Sequence, residues 1–344
     1  MRATVFTDAT LKKQAGRFVW LSIDTEDVKN AALLDRYPWE AVPTFQVIDP
    51  KTEKISYSWI GAVDVAELVR RFDEGESAFR RPDATEAALP SSPDAAVLAL
   101  SMAGKNDECA QRALALLPGL PSSGAKAAVA ATGLDCALSA KPEVPWRATA
   151  IATLEAAVRE AVNYEGLLDD DRSGLYLALV DARDRQNDEA GGKAVAVSWL
   201  DWLDAQARSA PSPEARAALD GYRVSASQRA GAPERVLATI QASERELPKD
   251  YNPPARLALV LRDMGRYDEA IAASDRALAK VYGPRTITIL DARATIFEKK
   301  GDPEGAKAAL RQALTFAATL PDSERTKRTI ARIEKRLGQV GRAD

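Results

Sequence analysis

Few residues of this chain could carry out nucleophilic, redox or metal chemistry. Among its 344 residues there is no histidine. That absence excludes Ser-His-Asp and Cys-His nucleophilic sites, histidine general bases and histidine metal ligands within the chain. Cys109 and Cys136, the two cysteines, lie 27 positions apart, which rules out a Cys-x-x-Cys redox pair and a four-cysteine zinc site. The helical pattern around Cys109 predicts a small buried side chain packed against a neighbouring helix, with a disulfide or a redox role as the alternative.

Carboxylates are the remaining candidates, and they occur in two short clusters. Residues 169–174 match the first half of a calcium-binding loop, but its twelfth position is Val180, so the bidentate carboxylate is missing. Ser173 as the cap of a helix that starts near Leu175 explains this segment more simply. Residues 24–28 similarly predict a helix cap followed by an acidic first turn. No glycine-rich phosphate loop occurs. We therefore predict no catalytic residue, no metal site and no cofactor.

Charge and hydropathy limit the possible partners. The net charge is −3, from 47 basic and 50 acidic residues spread along the chain, so no overall field favours nucleic acid or an anionic membrane. No apolar run reaches the length that spans a bilayer, and no signal-peptide pattern opens the chain. We expect a protein or peptide partner, no nucleic acid and no membrane span. The expected compartment is the cytoplasm for the chain as it stands, or the periplasm or exterior if an export signal lies upstream.

Residues 1–78 contain strand and helix patterns around a short proline loop. In chain order the patterns predict a strand over 18–24, a helix ending near Arg36 and Tyr37, a strand opened by Val42, Pro43 and Thr44, a hairpin at 49–51, a last strand ending at Gly61, and an amphipathic helix over 65–72.

This order resembles the thioredoxin fold. The resemblance implies a cis peptide bond before Pro43 and a peptide-binding role for that loop. The binding residues would then be Val42, Pro43 and Thr44, with Trp39 as a further lining residue whose alternative is a core role. The family's Cys-x-x-Cys and the central strand that leads to it would precede Met1, and losing a central strand leaves buried backbone groups unpaired. We therefore expect either that the true start lies upstream or that another segment or chain completes the domain.

The rest of the chain is predicted to form a linker followed by helices. Residues 79–94 gather three prolines with small and charged residues, which predicts a linker. Residues 95–208 are predicted as degenerate helical hairpins, because alanine- and leucine-rich segments there are broken by short turns. Trp199 and Trp202 lie one turn apart on one helix face and are expected to pack in the core, with an exposed binding stripe as the alternative.

A repeat orders the C-terminal helices. The turn glycines Gly231, Gly265 and Gly301 lie 34 and then 36 residues apart. Small residues such as Ala270 and Ala277 follow at the positions where adjacent helices must approach closely. This pattern resembles the tetratricopeptide repeat, in which antiparallel helix pairs stack to bury their apolar faces. We predict such repeats over 209–344, ending in a basic capping helix. That family binds many unrelated partners, so the resemblance does not name one.

The predicted fold class is α+β overall: a partial thioredoxin-like α/β domain followed by an all-α helical solenoid similar to tetratricopeptide repeats. Two function classes remain. One is an interaction protein without a redox centre in this chain. The alternative is a thiol-disulfide oxidoreductase whose Cys-x-x-Cys lies upstream of an incomplete N-terminus, and which reacts through a mixed disulfide.

Overall fold

The structure of the chain is a computed structural model, which describes residues 5–39, 42–80, 93–321 and 324–341. Helices dominate this described part, where one two-stranded sheet is the only sheet. The chain divides into two compact units. The first comprises Met1–Arg17 and Glu40–Asp201, and the second comprises Phe18–Trp39 and Trp202–Asp344. The domain boundaries expected from the sequence remain a prediction.

The strand predicted over residues 18–24 is wrong. These residues form no regular element, and Val19 and Leu21 are 90% and 77% exposed. A strand needs a neighbouring backbone for its hydrogen bonds, and the sheet of the described residues does not include this segment. The segment belongs instead to the second compact unit. The helix expected to end near Arg36 is confirmed as α1 (Ala31–Arg36).

The first unit contains a β-hairpin that follows the proline loop. Strand β1 (Thr44–Ile48) pairs antiparallel with β2 (Ile55–Ile60), with Phe45 opposite Trp59. Alternate residues of a strand share a face, and Tyr57 and Trp59 on one face of β2 are buried. The Trp59 ring stacks on Phe45 with the ring centroids 4.6 Å apart. Both strands predicted after the proline loop are therefore confirmed.

Helix α2 (Val65–Arg80) covers this hairpin and confirms the predicted amphipathic helix. Leu68 and Phe72 on its apolar face are buried. A Cβ atom added to Gly75 would lie 2.7 Å from Cγ2 of Val47, so glycine lets the helix approach β1 closely. The hairpin and α2 are the parts of the thioredoxin-like expectation that appear. They do not by themselves establish a thioredoxin-like domain.

The predicted linker lies mostly outside the described residues. Arg80 ends α2 on its near side, and Pro93 already begins a helix on its far side. The helices predicted over 95–208 are found. They are α3 (Pro93–Met102), α4 (Asn106–Leu116), α5 (Gly124–Ser139), α6 (Arg147–Ala161), α7 (Asp169–Arg185) and α8 (Glu189–Ser209).

A disulfide joins α4 to α5. Cys109 and Cys136 are fully buried, and their Cα atoms lie 6.0 Å apart. The two helices pack closely here, since a Cβ atom added to Gly133 of α5 would lie 2.4 Å from the Cβ of Ala113 of α4. The favoured prediction for Cys109, a small buried side chain packed against a neighbouring helix, is correct about the burial. It is wrong about the thiol, because Cys109 forms a disulfide, which was the alternative.

Helix α7 corrects the prediction for Ser173. The helix begins at Asp169, so Ser173 does not cap a helix that starts near Leu175. Ser173 is fully buried inside α7, where its Oγ accepts a hydrogen bond from Nε1 of Trp199 at 3.4 Å. The three aspartates at 169–171 lie in the first turn, where the helix dipole favours negative charge. Trp199 is fully buried, as predicted, whereas Trp202 is only partly buried.

The second unit consists mainly of paired helices. Its turn glycines Gly231, Gly265 and Gly301 have φ of 65°, 73° and 81°, in the left-handed region that glycine tolerates best. Ala270 and Ala277 are fully buried at the close-packing positions predicted for the repeat. The helices are α9 (Pro213–Ala218), α10 (Asp220–Ala230), α11 (Glu234–Glu246), α12 (Asn252–Asp263), α13 (Tyr267–Leu278), α14 (Arg285–Lys300), α15 (Pro303–Ala317) and α16 (Glu324–Gln339).

Helix α16 covers the end of this array. Ile333 is fully buried in the apolar cluster that α14 and α15 form. Arg336 reaches across to α14, donating to Asp291 at 2.6 Å and to Glu298 at 2.8 Å. Part of the basic face of this helix is therefore engaged in ion pairs with the array.

Candidate peptide-binding site

Two successive helix pairs of the second unit present polar side chains at corresponding ends. Tyr251 immediately precedes α12, and Tyr282 and Gly283 precede α14, whose first residue is Arg285. Each of these helices opens the next repeat, so stacking of the repeats brings their N-terminal ends together. The rings of Tyr251 and Tyr282 meet edge to face, with their centroids 6.2 Å apart. We refer to Tyr251, Tyr282, Gly283 and Arg285 as the Tyr/Arg site.

The Tyr/Arg site holds a segment from a distant part of the same chain. The Tyr282 hydroxyl donates a hydrogen bond to Oδ2 of Asp24 at 2.8 Å, and the Tyr251 hydroxyl donates to Oε2 of Glu26 at 3.0 Å. Arg285 donates through Nε to the other carboxylate oxygen of Glu26 and forms an ion pair with it. Both carboxylates, which are two positions apart in the sequence, are therefore held by donors of the array.

Glycine is required at position 283 because the backbone of the acidic segment passes directly over it. A Cβ atom added there would lie 1.9 Å from the carbonyl oxygen of Glu26, a distance at which two heavy atoms cannot coexist. Gly283 also has a φ of 60°, which side-chain-bearing residues seldom adopt. The site thus combines side-chain donors with a gap for a main chain.

The electrostatics keep these donors protonated. Burial raises the pKa of the Tyr251 hydroxyl, and the charge of Glu26 and its hydrogen bond raise it further. The hydrogen bond to Asp24 raises the pKa of Tyr282, and the hydrogen bond to Glu26 raises the pKa of Arg285. The arrangement therefore offers protonated donors to carboxylates at neutral pH.

Local hydrogen bonds shape the acidic segment, which we define as residues 24–26. Oδ1 of Asp24 accepts from the backbone N–H of Glu26 at 2.9 Å, and the Asn30 side chain donates to the Asp24 carbonyl at 2.8 Å. The helix cap expected in this region belongs to Asp27, which accepts from the N–H of Lys29. The expectation that residues 24–28 serve only as a cap is therefore incomplete, because two of their carboxylates contact the array.

The proline loop predicted to bind peptide has one feature that the thioredoxin resemblance implies. The peptide bond between Val42 and Pro43 is cis, and Val42 is 63% exposed. The Pro43 carbonyl accepts from the N–H of Gly61 at 2.9 Å, and Thr44 begins β1. Trp39 falls in the second compact unit and the other three residues in the first. A peptide-binding role for these four residues stays a prediction.

Sequence reasoning did not identify the Tyr/Arg site. Its contacts join residues 225 to 259 positions apart, a separation at which no spacing rule operates. The one local signal was the pair Gly283-Pro284 after Tyr282, which marks a turn before a helix. Such a turn predicts the helix start and says nothing of a ligand.

The described residues contain no group of three or more histidine, cysteine, aspartate or glutamate side chains that could hold a metal ion. Across the same residues, no helix is both long enough and apolar enough to cross a membrane.

Residues 251–319 match the family model of the tetratricopeptide repeat. The match begins at Tyr251 and contains the whole Tyr/Arg site. The helix pairs α12/α13 and α14/α15 thus form a tetratricopeptide-type array, and repeats of this kind suggest protein–protein interaction.

The crystal structure of BtubC (BKLC) from P. vanneervenii is similar over 70% of this chain and 91% of that chain, with 15% sequence identity and a TM-score of 0.40. No curated protein matches the sequence.

Proposed function

We propose that this protein is a non-catalytic interaction protein whose repeats bind a segment of a partner protein at the Tyr/Arg site. One observation carries the proposal: the site already holds residues 24–26 of its own chain through three side-chain contacts and a main-chain crossing at Gly283. A surface that accommodates one acidic segment has the shape and the donors to accommodate another.

The test is selection of peptides from a random displayed library on the immobilised full chain. Arg285→Leu removes the charged donor of the site. Arg276→Leu is the matched control, because Arg276 is a similarly exposed arginine of the same array that pairs with Glu244. We expect peptides that bind the wild type and the Arg276→Leu variant but not the Arg285→Leu variant. Selection of no peptide, or of peptides that bind all three proteins equally, would refute the proposal; circular dichroism checks that the variants are folded.

A second candidate is peptide binding at the proline loop, which the exposure of Val42 favours. In the thioredoxin fold, which the sequence around this loop resembles, the residue before the cis-proline offers backbone hydrogen bonds to an extended peptide. Under this proposal Val42, Pro43, Thr44 and Trp39 contribute to the binding of partner peptides, and a Val42→Pro variant loses that binding because it removes a backbone donor. Unchanged binding of partner peptides by this variant would exclude the loop as the binding site.

The oxidoreductase alternative rests on the same loop. It requires a Cys-x-x-Cys encoded in frame upstream of Met1. The protein extended to include that sequence should then reduce the disulfides of insulin. Finding unrelated sequence or a stop codon upstream would exclude it.

A further inference from the structure

The acidic segment occupies a site that suits a particular class of ligand. Thr25 and Glu26 lie in a turn, which the Asp24 carboxylate closes by accepting from the N–H of Glu26. From this turn Asp24 reaches Tyr282, and Glu26 reaches both Tyr251 and Arg285. A ligand for the site therefore needs two carboxylates at positions i and i+2. It also needs a backbone that can pass over Gly283, as the Glu26 carbonyl does.

The segment is held partly through contacts that are open to solvent. Tyr282 and the Arg285 side chain are 51% and 53% exposed, whereas the Glu26 side chain is 20% exposed. Exposed polar contacts such as that of Asp24 with Tyr282 contribute little to stability. Val19 and Leu21, shortly before the segment, are largely exposed. Because the repeats are held together by buried small residues between their helices, we expect the array to stay folded when the segment leaves the site.

We propose that residues 24–26 are a built-in competitor for the Tyr/Arg site, and that the partner segment is a protein turn with acidic residues at positions i and i+2. This inference rests on the proposed function and adds its ligand chemistry and its regulation. A partner binds when it displaces the acidic segment. The apparent affinity of the intact chain is lowered by the fraction of molecules in which the site is already filled.

The test measures binding of a fluorescein-labelled peptide of residues 18–30 by fluorescence anisotropy. The full chain is compared with Asp24→Asn/Glu26→Gln, which we call the emptied variant because it removes both carboxylates of the competitor. If the segment fills the site about nine tenths of the time, the emptied variant binds the peptide about tenfold more tightly than the wild type. A peptide carrying the same two amide substitutions is expected not to bind.

Two glycine variants in the emptied background separate site binding from a general effect. Gly283→Ala places a methyl group where the Glu26 carbonyl lies, so it should abolish peptide binding. Gly265→Ala is the matched control: its φ of 73° imposes a similar backbone cost, but nothing lies within 4 Å of the added Cβ. It should leave peptide binding intact.

Equal affinity of the wild type and the emptied variant for the acidic peptide would overturn the competitor role. Binding of the neutral peptide as tightly as the acidic one would overturn the ligand chemistry. In either case library peptides that depend on Arg285 would still support the proposed function, so the two proposals can fail separately. No binding of the acidic peptide to the emptied variant, with its helical circular dichroism unchanged, would overturn the inference as a whole.

Discussion

Replacing both cysteines by alanine should loosen the contact between α4 and α5. Cys109 and Cys136 close a loop with a sequence separation of 27 residues. In the chain-entropy account, a loop of that length stabilises the folded state by about 3.5 kcal/mol. That free energy corresponds to a roughly 300-fold change in the local opening equilibrium. Both side chains are fully buried, so alanine, which is small and apolar, keeps the packing requirement while removing the bridge.

Hydrogen exchange followed by mass spectrometry measures this locally, without requiring the two compact units to unfold together. Amides of α4 and α5 should exchange up to a few hundred-fold faster in the Cys109→Ala/Cys136→Ala variant. Adding reductant should speed exchange in the wild type and leave the variant unchanged. The reasoning is refuted if denatured, unreduced wild type shows two free thiols, or if exchange in α4 and α5 is the same in both proteins.

Three further predictions concern packing and charge. Gly133→Ala puts a methyl group 2.4 Å from a neighbouring side chain, so it should lower the free energy of unfolding in urea titrations by about 1–3 kcal/mol. Gly174→Ala, with open space around its Cβ, should raise that free energy by up to about 1 kcal/mol. Equal effects of the two substitutions would contradict the close packing of α5. Burial alone would raise the pKa of Glu155, but hydrogen bonds from two arginines outweigh it and hold the pKa below its usual value, so its stabilisation is present above about pH 4.5 and is lost as pH falls through the lower folded-state pKa. Glu155→Gln should therefore lower the free energy of unfolding at pH 7 by about 2 kcal/mol, which thermal unfolding measures. The difference in stability between the variant and the wild type should vanish in acid. A difference that does not change with pH would show that the charge of Glu155 is not its cause. Arg336→Ala should destabilise the array by about 1–2 kcal/mol because it breaks two ion pairs to α14, while Lys335→Ala on the exposed side should change thermal stability by less than about 0.5 kcal/mol.

The C-terminal array could be predicted from the sequence because its determinants are local. Gly231, Gly265 and Gly301 terminate helices at a regular period, and the residues between helices must be small. Each of these requirements appears within one or two repeats of the sequence. The hairpin after Pro43 was predictable for a similar reason, since alternating apolar residues and a tight turn specify both strands.

The disulfide was harder to predict because pairing depends on which helices are neighbours. Cys109 and Cys136 each lie in a helical pattern that is compatible with a free buried thiol. Only the packing of α4 against α5 brings their Cα atoms to 6.0 Å, within the range for a bridge.

Residues 18–24 show how a resemblance can lead to a wrong partner. The thioredoxin-like order assigns them to an inner strand, but they form no regular element. The order of elements does not say whether such a segment finds its partners through its backbone, as a strand, or through its side chains. Here the carboxylates of Asp24 and Glu26 find three donors on the repeats. Asp24, which the resemblance places at the end of a strand, thus contacts the helical array instead. For that reason the Tyr/Arg site, rather than the proline loop, is the stronger candidate for binding a partner.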